Sequence, residues 1–216
     1  MDFNNLKRQF FEYLEIERGR SLKTIDNYGR YLERFWNFAK IGSPGEIDDD
    51  LVRRYRLYLN RANLKRKTQN FYLIALRVFL KYLARRGIKS LAPERIELAK
   101  VPERYLDLIN EDELERLLAG PKGEDLKFLR DKAILELLFS TGLRVSELCS
   151  LDREDIDMKK TEFSIRGKGD KIRLVFVSDD AKEFLKKYLS KRKDVEEALF
   201  VRTNEVGPRE NRLTPR

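Results

Sequence analysis

Apolar residues recur every three or four positions through the first ninety residues, and the recurrence stops at a stretch that holds two prolines. Such spacing belongs to helices that bury one stripe, so this half of the chain is expected to be a helical bundle. Leu6, Phe10, Phe11 and Leu14, with Tyr13 beside them, predict a helix over 4–18 that Gly19 ends. Ser21 is the expected cap of a second helix, whose stripe is Ile25, Tyr28, Leu32, Phe35, Trp36 and Phe38. The cluster Gly42-Ser43-Pro44-Gly45 reads as a loop. Asp48 to Asp50 open a third helix, where acids suit the positive end of the helix dipole. The basic loop Lys65-Arg66-Lys67 leads to Thr68, the expected cap of a fourth helix packed by Phe71, Leu73, Leu76, Phe79, Leu80 and Leu83 and stopped by Gly87.

Residues 90–107, with Pro93 and Pro102, read as a linker holding at most a short helix at 94–99. Beyond it the pattern is mixed. Asn110 and Glu113 have capping-box spacing, a longer helix is expected over 125–140 with Gly142 just past its end, and a short helix at 145–150. Residues 162–167 and 171–177 alternate as two strands joined at Lys168-Gly169-Asp170. Ser178 caps a last helix to about 191, and 198–201 predicts a third strand. The fold class is therefore mostly α with a small β-sheet, divided as a helical domain over 1–89, a linker over 90–107 and an α+β domain over 108–216. Thr214-Pro215 has the look of a helix start, so the second domain is expected to be incomplete as given.

Charge separates the two halves. Residues 1–100 carry 22 Lys and Arg against 12 Asp and Glu, and residues 101–216 carry 24 against 25. The formal net charge of +9 thus resides in the helical half. A basic module joined to a near-neutral one suits a polyanion partner, with a plain solvated helical surface as the other reading. The complete absence of histidine, with one cysteine, argues against a zinc site and an internal disulfide, and suits a reducing cytoplasm. No stretch approaches the roughly 18 apolar residues of a membrane span.

Two positions stand out chemically. In "AILELLFSTGLRVSELCSL", residues 133–151, Arg144 follows a Thr-Gly-Leu break in an otherwise apolar run. Gly142 lets the backbone reverse, so the amide and guanidinium of Arg144 are expected to face one point together, an arrangement that suits a phosphate. Glu147, three residues on, shares its helix face. A buried Arg144–Glu147 structural pair fits the same spacing. Lys168 lies at a hairpin tip between glycines in "GKGDKIR", free to reach a ligand or simply to be a solvated turn residue.

Taken together, "TGLRVSEL", the following "LDREDID" and then "GKGDKIRLVFV" resemble the tyrosine recombinases of the Xer and phage-integrase family. "SLKTIDNYGRYLERF" and "KTQNFYLIALRVFLKYLARRG" look like that family's SAM-like core-binding domain, so the resemblance covers nearly the whole chain. It implies an enzyme class that cuts and rejoins double-stranded DNA at specific sites through a 3′-phosphotyrosyl link, with no metal and no cofactor. By motif, Arg144 matches the first phosphate-holding arginine, Glu147 the acid beside it, and Lys168 the hairpin lysine that protonates the leaving oxygen. A developing negative charge needs fixed cations and a general acid, so the chemistry agrees. The resemblance also implies DNA contacts at two helix starts: Ser21, Lys23, Thr24 and Tyr28, then Lys65, Arg66, Lys67, Thr68 and Asn70, with Arg77 further along.

The departures are equally informative. The family's His-x-x-Arg motif and nucleophilic tyrosine have no match, and Tyr188, the last of nine tyrosines, sits on a helix stripe. The chain is thus expected to bind DNA without cutting it, as a monomer, whereas the complete enzyme would be a tetramer on DNA. A natural truncated relative that only occupies or regulates recombination sites is the alternative. A helical transcriptional regulator is a third, which would leave the pairing of Arg144 with Lys168 unexplained.

Overall fold

The computed structural model describes residues 3–102, 106–167, 171–203 and 211–215. It forms two compact units, Met1–Tyr105 and Leu106–Arg216.

The first unit is a four-helix bundle: α1 (Phe3–Ile16), α2 (Leu22–Ala39), α3 (Asp49–Arg61) and α4 (Arg66–Arg85). Each boundary has a local cause. The Ser21 hydroxyl accepts from the Thr24 amide at 3.4 Å, and the Asp48 carboxylate accepts from the Leu51 amide at 2.8 Å. The fourth helix differs from expectation. It begins at Arg66, with Lys65 at the cap position and no side-chain cap, so Thr68 lies inside the first turn. The core is unusually aromatic. Phe10 is fully buried, with Phe79 at 5.1 Å edge-on and Tyr82 at 5.4 Å between ring centroids.

Residues 90–102 do more than connect. Ile96 is fully buried in the bundle core, and Leu91 and Leu98 pack against it. Asn70 grips Ala99 from both sides, accepting from its amide at 3.0 Å and donating to its carbonyl at 2.8 Å. Arg77 donates to the Ile96 carbonyl. The only helix in the segment is a single 3₁₀ turn at Pro93–Arg95, because the prolines and these side-chain clamps hold the backbone extended around it.

The second unit orders α5 (Glu111–Leu118), α6 (Leu126–Thr141), α7 (Val145–Ser150), β1 (Glu162–Arg166), β2 (Ile172–Phe176) and α8 (Asp179–Lys191). The Asn110 capping box forms with both hydrogen bonds, at 2.9 and 3.0 Å. The strands pair antiparallel in the register Phe163 with Val175 and Ile165 with Arg173. Phe163, Ile165 and Val175 thus face a core built with Ala133, Leu137, Leu185 and the fully buried Tyr188.

The third strand does not form among the described residues. Segment 196–201 makes only two isolated bridges, Ala198 with Asp152 and Val201 with Arg212. Its carbonyls are taken elsewhere. Buried Arg192 donates to the carbonyls of Glu196, Ala198 and Leu199 at 3.2, 2.6 and 2.9 Å and also grips Asp194. That hydrogen bonding holds the Asp194 carboxyl down at about 2, against the opposing effect of its partial burial. Residues 211–215 are not helical. Among the described residues no helix is long and apolar enough to cross a membrane.

Candidate functional site

The break after α6 builds the site. Gly142 takes φ +61, a left-handed value that favours glycine, and its amide closes α6 onto the Leu138 carbonyl at 2.9 Å. The chain then reverses, and Arg144 becomes the cap residue of the six-residue α7. Glu147, at the third position of α7, is 7% exposed, while the Arg144 side chain is 62% exposed. The alternative of a buried Arg144–Glu147 pair is therefore met only in part: the acid is buried and the arginine reaches solvent.

Among the described residues, Glu147 accepts four hydrogen bonds. The Arg144 amide donates to it at 2.8 Å and the Arg144 guanidinium at 2.7 Å. Arg173, from β2, donates through both terminal nitrogens at 3.2 and 2.8 Å. Burial alone would raise the Glu147 carboxyl, but the bonds from Arg144 and Arg173 overrule it and bring it down to about 2. The carboxylate is thus ionised at any physiological pH. The amide of Arg144, expected to point at a ligand with the guanidinium, is instead spent on Glu147. Only the side chain is left to face outward.

The hairpin ends beside this cluster. The Gly167 amide donates to the Lys171 carbonyl at 2.8 Å. A Cβ at Gly167 would come within 3.2 Å of the Glu147 Oε1 and 3.6 Å of the Arg173 Nη1, so glycine is what lets the backbone sit so close. Lys168 itself lies outside the described residues.

In the first unit, Lys23, Lys65, Arg66 and Lys67 are exposed at the helix starts. Ser21 and Thr24 bond one another's hydroxyls at 3.0 Å at the start of α2, and Tyr28 packs half-buried on the bundle core. Thr68 is half-buried. Asn70 and Arg77 are turned to the 96–99 segment, as described above. Tyr188 is buried, stacked on Phe200 at 5.7 Å, and its hydroxyl accepts from the Val201 amide at 3.1 Å. Burial pushes its phenol up, the reverse of what a nucleophile needs.

Arg173 is the residue that sequence reasoning missed. Its signal was present: in "KIRLVFV" the alternation that puts Val175 and Val177 inside puts Arg173 inside too. An arginine on the core face of a strand calls for a buried acid.

Both units match known domains. Residues 8–87 match the phage integrase N-terminal SAM-like domain, and residues 107–216 match the phage integrase family. The chain belongs to that family, the tyrosine recombinases. A XerC tyrosine recombinase of Thermodesulfovibrio yellowstonii is 36% identical over 185 residues, covering 84% of this chain and 60% of the relative. A XerD of Oceanobacillus iheyensis is 35% identical over 212 residues, covering 93% of this chain and 70% of the relative. The chain thus spans some 60–70% of the length of these relatives. Among solved structures, the Tn1549 transposon integrase in complex with transposon right end DNA has a TM-score of 0.72 at 16% identity, over 99% of this chain and 74% of that one. A lambda integrase tetramer bound to a Holliday junction has a TM-score of 0.71 at 18% identity, over 99% and 62%. XerH bound to difH in a post-cleavage complex has 0.65 at 22%, over 93% and 62%. These likenesses are of fold.

Proposed function

We propose that these 216 residues are the DNA-binding portion of a site-specific tyrosine recombinase, gripping double-stranded DNA without cutting it. The observation that carries the reading is the Arg144 guanidinium, exposed to solvent yet fixed at its base by a buried, ionised Glu147, inside the segment matched to the family. Such a group binds a phosphate oxygen with little orientation left to lose. Residues 1–89 supply the cationic surface, with Lys23, Lys65, Arg66 and Lys67 as backbone contacts at the starts of α2 and α4. Ser21, Thr24, Tyr28 and Thr68 shape those helix starts, while Asn70 and Arg77 act from behind by holding the 96–99 segment. Lys168 is the proposed general acid of the complete reaction. The protein works on DNA in the cytoplasm, as a monomer when free, and the tetramer belongs to the longer enzyme on its sites.

Two measurements test this. Duplex binding should weaken by about a thousandfold between 50 and 200 mM salt, as expected when about six phosphates are neutralised. Replacing Lys65, Arg66 and Lys67 together with glutamine should make the slope of log affinity on log salt shallower by about 0.9 for each phosphate that is no longer neutralised. A salt-insensitive affinity would refute the phosphate grip. A labelled duplex should also run free of protein on a denaturing gel, because the sequence holds no histidine and its last tyrosine is buried. A covalent band would overturn the claim that these residues alone do not cut.

A further inference from the structure

The geometry points to Arg173 as a positioning residue that sets the charge of the phosphate site: it neutralises Glu147 and so leaves a surplus positive charge on Arg144 for an outside anion. This rests on the reading of Arg144 as a phosphate ligand. The argument is one of charge balance. Arg144 and Glu147 alone, 2.7 Å apart, are a neutral pair. An incoming phosphate would compete with Glu147 for the same guanidinium and be repelled by the carboxylate behind it. Arg173 changes that balance. It meets the carboxylate with a two-nitrogen fork at 2.8 and 3.2 Å, the geometry that suits guanidinium and carboxylate best. The three groups then carry a net +1. Within that triad Arg144 is the more exposed cation, 62% against 35% for Arg173. The surplus charge is therefore presented through Arg144.

Arg173 is also placed to keep the two halves of the site together. It comes from β2, while Glu147 and Arg144 come from α7 and its cap, so its fork ties the hairpin to the arginine loop. One of its nitrogens also reaches toward the Gly142 carbonyl at 3.5 Å, at the turn that launches Arg144. Gly167, the residue before Lys168 in the chain, lies against the same carboxylate. Arg173 acts through Glu147.

The test is a set of four variants of the full chain, each assayed for duplex affinity and its salt slope well below its melting temperature: R144Q, R173Q, R173K and the double variant R173Q/E147Q. R144Q should bind about tenfold more weakly, with a slope shallower by about 0.9, the value for one phosphate left unneutralised. R173Q should reproduce both effects, since the remaining carboxylate captures Arg144. R173K, which keeps the charge, should recover most of the affinity. The double variant removes the carboxylate together with its neutraliser, restores +1, and should bind within about threefold of the parent. A purely structural Arg173 would leave slope and affinity unmoved in R173Q, and that result, beside a weakened R144Q, overturns the proposal. So does a double variant as weak as R173Q, which also decides the matter if R173Q alone fails to fold. An unchanged R144Q instead overturns the phosphate reading of Arg144, and the proposal falls with it.

Discussion

Replacing Phe10 with alanine is expected to destabilise the helical unit by about 4 kcal/mol, the cost of losing a fully buried phenyl ring and leaving a cavity that neighbours cannot close. The neighbours explain the size. Phe11 at 5.4 Å, Phe79 at 5.1 Å and Tyr82 at 5.4 Å surround the ring from three sides, and rigid rings collapse poorly into a void. For a unit of about this size the loss corresponds to a fall in melting temperature on the order of 20 °C, readable by calorimetry or circular dichroism. Phe11 is the internal comparison. It is only partly buried, lying along a surface groove with Lys23, Ile25 and Gly29. Phe11→Ala should therefore cost about 1–2 kcal/mol, since less apolar area leaves water. Equal losses from the two variants would contradict the packing described.

The same two phenylalanines show how the helical half could be read from sequence. A stripe of bulky residues at three- and four-residue spacing leaves few alternatives to a helix with one buried face. Caps sharpen the ends where the capping chemistry is strong, at Ser21, Asp48 and Asn110. Thr68 failed as a cap because a good capping residue type also tolerates the first helical turn, and α4 started at Arg66. Segment 90–102 looked like a linker because prolines remove period. Its attachment to the bundle runs through Ile96, Asn70 and Arg77, with hydrogen-bond partners 19 and 29 residues apart that no local pattern encodes. The absence of a third strand among the described residues has the same origin. The apolar run at 198–201 has strand character, but Arg192 takes the backbone carbonyls that a ladder would need.

The site was legible in part for a related reason. Arg144 and Glu147 are three residues apart, so helical geometry alone brings them together. Which of them would be buried was not legible, because that depends on what covers Glu147 from the hairpin. The cover is Arg173, 26 residues further on, and the register pairing it with Ile165 is a property of the folded strands. Sequence spacing finds partners within an element; it does not find a second cation arriving from another.

Glu147 is where stability and function meet, and its removal should show a distinctive pH signature. In the folded chain its carboxyl lies at about 2, against about 4.5 for the unconstrained group. A depressed carboxyl stabilises the fold fully above the unfolded value and loses that contribution as pH falls through the folded one. The parent chain should therefore lose this part of its stability between about pH 4.5 and pH 2. Glu147→Gln keeps the shape but not the charge, and should be less stable than the parent by about 2 kcal/mol at neutral pH, the scale of charge-assisted bonds whose arginine partners can rehydrate. The gap between parent and variant should shrink as pH drops below about 4.5 and close near about pH 2. Denaturant unfolding at a series of pH values measures it directly. Asp194 titrates over the same range, but it is present in both proteins and cancels in the difference. A gap that stays constant with pH would mean that Glu147 contributes through packing and not through ionic hydrogen bonds. The fixed orientation of Arg144, and with it the charge balance set by Arg173, would then lose its physical basis.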